Sequence, residues 1–253
     1  MSGLDARLFH ALHDPLARSP ALFEVALGLC GGLPLAATVA LLLALWWIDL
    51  EGGGAARAVL GGGPPPERQG LLASRIRVTA LAAGVAASFV VTRLVAFASD
   101  GRRPFEVESL EVPIDPLRWG YIREAMAGFG AFPSDHAALF FAVAAGLFSW
   151  SRAAGGAGLV FALTTCAARV AVGFHYPFDM VAGGALGVVF ARLMIAWQAR
   201  APESFRLVPR LADRHPAWFY PAAFVVALDF TQHFRLVMRT VFAVVMALVG
   251  GRD

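Results

Sequence analysis

The stretch AGLVFALTTCAARVAVGFHYPFDMVAGGALGVVFARLMIAW, residues 157–197, is two apolar runs, about 157–174 and 178–197, around a short turn that holds a histidine, with an aspartate at the start of the second run. Each run is close to the roughly 20 residues a helix needs to cross the hydrocarbon core of a bilayer. Only helices and closed barrels satisfy their own backbone there, so unbroken runs of this length predict transmembrane helices.

Outward from this pair the pattern repeats. A first span is expected over roughly 21–49, with Gly31, Gly32 and Pro34 inside it and Trp46-Trp47 at its end, and a second over 78–98. A third runs from Phe132-Pro133-Ser134-Asp135-His136 to Trp150. The last apolar stretch, 217–249, is interrupted by Asp229, His233, Arg235 and Arg239, each costly in hydrocarbon unless it faces protein or water. Near the N-terminus Leu4, Leu8, Leu12 and Leu16 recur at helical spacing among charges, the pattern of an amphipathic interfacial helix. Residues 51–77, rich in Gly, Pro and Arg, are expected to be a flexible cytoplasmic loop. The expected fold is all-α: one membrane-embedded domain over 1–253, a bundle of five to six transmembrane helices with an N-terminal amphipathic helix and a C-terminal helical extension over 198–253.

Composition agrees, with 58% hydrophobic and 15% charged residues and a mean hydropathy of +0.65. Every basic side chain is Arg or His, because the sequence has no Lys. The pI of about 9.4 does not point to nucleic acid, since the Arg residues are scattered at the ends of apolar runs, where the positive-inside rule expects them. With the loops 51–77, 151–156 and 198–216 in the cytoplasm, that side holds nine Arg and the other six. Cys30 and Cys166 lie in apolar runs without a CxxC pair and are expected to be packing residues. The N-terminus lacks the pattern of a cleaved signal peptide, so the first span is expected to be retained. The small residues of VAGGALGVV, 181–189, predict close helix contacts, within the bundle or in a homodimer.

Three polar clusters stand at span ends on one side of this topology: Arg102-Arg103-Pro104-Phe105, Pro133-Ser134-Asp135-His136, and Arg169-x5-His175-x3-Asp179. Pro177 suits the first position of a helix, which puts Asp179 one turn beyond His175 and within reach of its imidazole. An acid on one ring nitrogen leaves the other free to attack phosphorus. Arg169 and Arg103 offer planar donor forks to phosphate oxygens. Ser134 is placed to cap the third span, where free amides favour an anion, and His136 in the first turn is a candidate general acid and base. Taken singly, each has a plainer role: a packed histidine, an interfacial Arg anchor, an acid favouring a helix start. Three clusters on one side make those roles a poor account of the set. No cluster has metal-ligand spacing, and no cofactor is expected.

These residues resemble the three-part signature of the type 2 phosphatidic acid phosphatase superfamily: Lys-x6-Arg-Pro, Pro-Ser-Gly-His and Ser-Arg-x5-His-x3-Asp. The resemblance covers roughly residues 90–190. It implies His175 as nucleophile, Asp179 as its orienting partner, His136 as the acid, and Arg103, Ser134 and Arg169 as phosphate binders. Three positions depart from the signature. Ala96 stands in place of Lys, with Arg93 or Arg102 as possible substitutes; Ala168 stands in place of Ser; Asp135 stands in place of Gly, with its role open.

The segments TRLVAFASDGRRPF and FPSDHA are similar to a bacterial branch acting on undecaprenyl diphosphate. That resemblance implies a lipid phosphate substrate among membrane lipids in the bacterial inner membrane, and it fits the Arg counts, which put the three clusters on the extracytoplasmic side. The competing expectations are a phosphatase of phosphatidic acid or phosphatidylglycerol phosphate, a lipid phosphotransferase, and a transporter or structural membrane protein.

Overall fold

The structure, a computed structural model, describes residues 3–48, 68–99, 101–126 and 130–231. In chain order the helices are α1 (Gly3–Ala17), α2 (Pro20–Cys30), α3 (Gly32–Trp46), α4 (Arg68–Ala98), α5 (Pro104–Val107), α6 (Pro116–Met126), α7 (Asp135–Phe148), α8 (Arg152–Ala171), α9 (Pro177–Arg200), α10 (Leu207–Arg214) and α11 (Pro216–Thr231), with a 3-10 turn at Pro202–Phe205. The described residues contain no strand.

α4, α8 and α9 are long and apolar enough to span a bilayer. α2 and α3 together form a fourth candidate span, bent by 44° at a break. α7, with 14 residues, is shorter than a full span, at about 21 Å for a 1.5 Å rise. It sits at the centre, packed against α4, α8 and α9. This location accounts for its composition, since apolar residues lie on all its sides and eleven of its residues are buried. The outer helices instead leave Leu94, Phe97, Val160, Leu163, Val181 and Leu193 exposed, the lipid-facing surface of a multi-pass membrane protein.

Glycine sets the spacing of the two innermost helices. A side chain at Gly183 would run into the Ser134 carbonyl, and one at Gly187 into the Ala138 carbonyl. α9 therefore lies directly on the backbone of α7, as small residues allow in membrane bundles. The VAGGALGVV stretch thus makes a contact within the bundle.

Two expectations change in detail. Residues 68–77, expected in the loop, begin α4 instead. Ile76 is buried there, and Arg75 lies over Trp46 and Trp47 at 5.2 and 5.0 Å and pairs with Asp213 at 2.7 Å. Those contacts stabilise helix beyond the apolar run. α1 is helical as expected and leaves Leu4, Leu8 and Leu12 exposed, while Asp5, Phe9 and His13 are buried against the bundle. Three of the four leucines face outward, Leu16 packs inward, and the opposite face is the packed one. In the last apolar stretch Asp229 is buried, and His233, Arg235 and Arg239 lie outside the described residues.

Candidate active site

α8 ends in a turn built for the residues that follow it. The Phe174 amide donates to the Arg169 carbonyl and the Gly173 amide to the Val170 carbonyl, both at 2.9 Å. This is the paired closure of a Schellman motif, with Gly173 at φ +94° in the left-handed position that glycine fills without strain. The chain leaves the turn through Phe174, His175 and Tyr176, all buried. It re-enters helix at Pro177, whose missing N–H costs nothing in a first turn.

Backbone hydrogen bonds tie the three polar clusters together. Ala131 donates to the Gly101 carbonyl at 2.9 Å, joining the first to the approach of the second. Phe105 donates to the Gly173 carbonyl at 3.2 Å, joining the first to the third. Ser134 donates to the Asp179 carbonyl at 3.0 Å, joining the second to the third. Side chains near the site hang on a main-chain frame. Arg103, Ser134, His136, Arg169, His175 and Asp179 are all buried within it.

The tautomer of His175 follows from its neighbours. Nδ1 lies 3.0 Å from the Ala131 carbonyl and 3.3 Å from Asp179 Oδ2, both acceptors, so Nδ1 carries the hydrogen. Nε2 then holds a lone pair, and Arg103 Nη1 points at it from 3.4 Å while donating to the Phe174 carbonyl at 2.9 Å. Burial, followed by the charges of Arg103 and Arg169, holds the His175 pKa well below its ordinary value. Neutral imidazole is the form a nucleophile requires. Burial and the neighbouring Arg169 also lower Arg103, to about 10, which leaves it charged at neutral pH.

Arg169 is anchored by a helix break. The Cys30 carbonyl, the last of α2, has no intrahelical donor: the chain is extended at Gly31, and residue 34, four positions on, is Pro and has no N–H. Arg169 Nη1 donates to that carbonyl at 2.9 Å, and its Nε has no hydrogen-bond partner among the described residues. The guanidinium also lies over the Phe174 ring at 5.6 Å.

At the start of α7, Ser134 caps the helix as expected, its Oγ accepting from the Ala137 amide at 3.4 Å. The open amides expected there are largely engaged: His136 N–H goes to Asp135 Oδ1 at 2.8 Å, and Ser134 N–H to Asp179. Asp135 takes the His136 amide, since an acid in the first turn of a helix competes for its own amides, and the start of α9 takes that of Ser134. Its Oδ1 also lies 2.7 Å from His136 Nδ1, and its Oδ2 lies 2.7 Å from Arg93 Nη2. Arg102 is exposed. An apolar cleft lined by Leu35, Phe89, Leu139 and Phe230 reaches Asp135 and His136.

Some contributors were not apparent from residue types. The Ala131, Phe174 and Cys30 carbonyls are main-chain groups that any residue supplies. Asp5 also belongs to the frame: its Oδ1 accepts from the Phe178 amide at 3.1 Å, capping α9 from a different helix. His13 Nδ1 donates to the Ala171 carbonyl at 2.8 Å, so α1 holds both flanks of the His175 turn. An acid and a histidine eight residues apart on one amphipathic helix were the only signal for this. Among the described residues, no group of three His, Cys, Asp or Glu is placed to hold a metal ion.

The chain is similar to two curated bacterial proteins. It is 41% identical over 69 residues, 27% of this chain, to the "Bacitracin transport permease protein BcrC" of Bacillus licheniformis. It is 33% identical over 141 residues, 54% of this chain, to the "Putative undecaprenyl-diphosphatase YbjG" of Escherichia coli strain K12. The aligned stretches span 34% and 65% of those relatives, less than two thirds of either. No solved structure matches. A family model does match, over residues 77–203, half of the chain and all three polar clusters, and the chain belongs to the PAP2 superfamily.

Proposed function

We propose that this chain is a membrane lipid phosphatase that works through a phosphohistidine on His175, with undecaprenyl diphosphate as its substrate. The observation that carries the reading is the setting of His175: Nδ1–H is held between two acceptors, and the Nε2 lone pair is turned toward Arg103.

In the first half-reaction Nε2 attacks the terminal phosphorus of the lipid diphosphate. A P–N bond forms, the P–O bond to the lipid phosphate breaks, and His136 gives that leaving oxygen a proton. In the second half-reaction water attacks the phosphohistidine and His136 takes its proton. The P–N bond breaks, inorganic phosphate leaves, and the enzyme is restored. Asp179 and the Ala131 carbonyl stabilise the ring while it carries the phosphoryl group. Arg103, Arg169 and the Ser134 hydroxyl bind the phosphoryl oxygens, with Arg102 at the margin; charge stabilisation of this kind is the main demand of phosphoryl transfer.

The name of the E. coli relative supports the polyprenyl diphosphate over other lipid phosphates. The excess of Arg in the loops 51–77, 151–156 and 198–216 supports an inner-membrane topology with the site on the extracytoplasmic side.

The test is phosphate release by the detergent-solubilised protein from undecaprenyl diphosphate, phosphatidic acid and phosphatidylglycerol phosphate. Release is expected to be fastest from the diphosphate and to fall by at least about a thousandfold in His175→Ala. A variant as active as wild type removes the nucleophile assignment. Release that requires an acceptor lipid makes the chain a transferase. A wild type inactive on every lipid phosphate supports a transporter or structural role.

A further inference from the structure

The site contains two histidine–carboxylate pairs. The first, His175 with Asp179, belongs to the reading above. The second, His136 with Asp135, uses a carboxylate at a position where the superfamily signature has Gly.

The geometry of the second pair is specific. Asp135 Oδ1 lies 2.7 Å from His136 Nδ1 and also accepts the His136 amide at 2.8 Å. Its other oxygen, Oδ2, lies 2.7 Å from Arg93 Nη2. One carboxylate therefore grips the ring and the backbone of His136 with one oxygen and Arg93, a turn from the end of α4, with the other. A carboxylate between two donors keeps its charge, and that charge requires a hydrogen on Nδ1. The ring nitrogen left to exchange protons with substrate is Nε2.

We propose that Asp135, clamped by Arg93, is a positioning residue that fixes the ring of His136 so that Nε2 exchanges the proton with the leaving oxygen and the attacking water. The proposal rests on the phosphatase reading. It gives Arg93 a role that acts through Asp135, in place of the phosphate contact that a basic residue at position 96 would make. No new bond is made or broken: the proton leaving Nε2 in the first half-reaction returns to it in the second, while the hydrogen on Nδ1 stays between the ring and Asp135. Among the described residues, the charged groups facing this pair are Arg93 from α4, Arg169 from α8 and Arg103 from the loop before α5, and the titratable group is His175 from the turn before α9.

A merely structural role for Asp135 lowers activity on every substrate alike; a role in proton donation does not. The experiment compares wild type, Asp135→Asn, Arg93→Gln and Arg93→Lys on aryl phosphates of graded leaving-group pKa and on undecaprenyl diphosphate. Asp135→Asn is expected to lose about ten- to a hundredfold in kcat on poor leaving groups and to approach wild type on p-nitrophenyl phosphate during the phosphorylation half-reaction, read as the burst, with KM little changed. Its alkaline limb of kcat/KM is expected to move to lower pH, because imidazolium loses its carboxylate partner. Arg93→Gln is expected to show a weaker version of both effects and Arg93→Lys to recover part of the loss.

Equal losses on all leaving groups, or a change in KM alone, overturn the proposal. Should Asp135→Asn fail to fold, Asp135→Gly, which installs the residue of the superfamily signature, is read in the same way. If His136→Ala and His175→Ala are inactive while Asp135→Asn behaves as wild type, the proposal falls and the phosphatase reading stands. If wild type itself releases no phosphate from any of these compounds, both fall.

Discussion

Gly183 of α9 lies against the main chain of Ser134, and the Ser134 amide donates to the carbonyl of Asp179, one turn earlier in α9. The two contacts set the distance between the helix that begins with Ser134, Asp135 and His136 and the one that follows His175. Main-chain atoms cannot move aside as side-chain tips do, so a methyl group at 183 must push the helices apart. Gly183→Ala is expected to lower the unfolding temperature and to reduce phosphate release by at least about tenfold, since small displacements are costly to oriented catalytic groups. Gly184→Ala meets only the Phe141 ring, at 3.0 Å, and Gly156→Ala meets nothing within 4 Å; both are expected to stay within about twofold of wild type. Thermal unfolding and turnover of the three variants check this together.

That contact illustrates what was legible in the sequence. The apolar runs announced the long helices α4, α8 and α9, because a bilayer imposes one length and one composition on whatever crosses it. The spacing of His175 and Asp179 announced their pairing, since residues four apart near a helix start must lie on one side. The carbonyls of Ala131, Phe174 and Cys30 were not legible, because a main-chain acceptor leaves no trace in residue type. The role of Asp135 was hidden for another reason: its partner Arg93 is 42 positions away, and only the packing of α4 against α7 brings them together.

Pro34 prepares the ground for Arg169. With an N–H at position 34, closure of the break at Gly31 gives the Cys30 carbonyl an intrahelical donor that competes with Arg169 Nη1. Pro34→Ala is therefore expected to straighten the join of α2 and α3 and to loosen Arg169. The expected result is a severalfold weaker inhibition by orthovanadate with the protein still folded. An unchanged inhibition constant argues that Phe174 stacking alone holds the guanidinium.

Orthovanadate and chelators probe the source of the charge that meets the phosphate. Arg103 and Arg169 supply two positive groups, both buried beside His175. Micromolar to millimolar orthovanadate is expected to inhibit, and excess EDTA to leave the rate unchanged. Loss of activity in EDTA that returns on adding a divalent ion requires a metal in the site.

Asp5 tests whether α1 serves the site. Its carboxylate accepts from the Phe178 amide at 3.1 Å, in the first turn of α9. Asp5→Ala is expected to cost about 1 kcal/mol, the usual value of a helix N-cap. It is also expected to raise hydrogen exchange at Phe178 while leaving exchange in α4 untouched. A uniform rise across the bundle indicates general destabilisation and no specific hold on the His175 turn.

The depressed pKa of His175 makes a prediction about acid. The folded chain holds this imidazole neutral below pH 6.5, whereas the unfolded chain protonates it there. Between 6.5 and the lower folded value the unfolded state binds more protons, so this residue removes stability as pH falls through that window. His175→Asn, which keeps a polar side chain without titrating, is expected to unfold with a flatter dependence on pH below 6.5 than wild type. On the proposed mechanism the same neutrality keeps His175 competent as the nucleophile, so the acid limb of kcat/KM due to His175 is expected well below pH 6.5. Replacing Arg103 with Gln removes the nearest positive charge and is expected to move the His175 titration upward, toward the ordinary value, in spectra of protein carrying labelled histidine. A titration that stays in place assigns the depression to burial and the charge of Arg169.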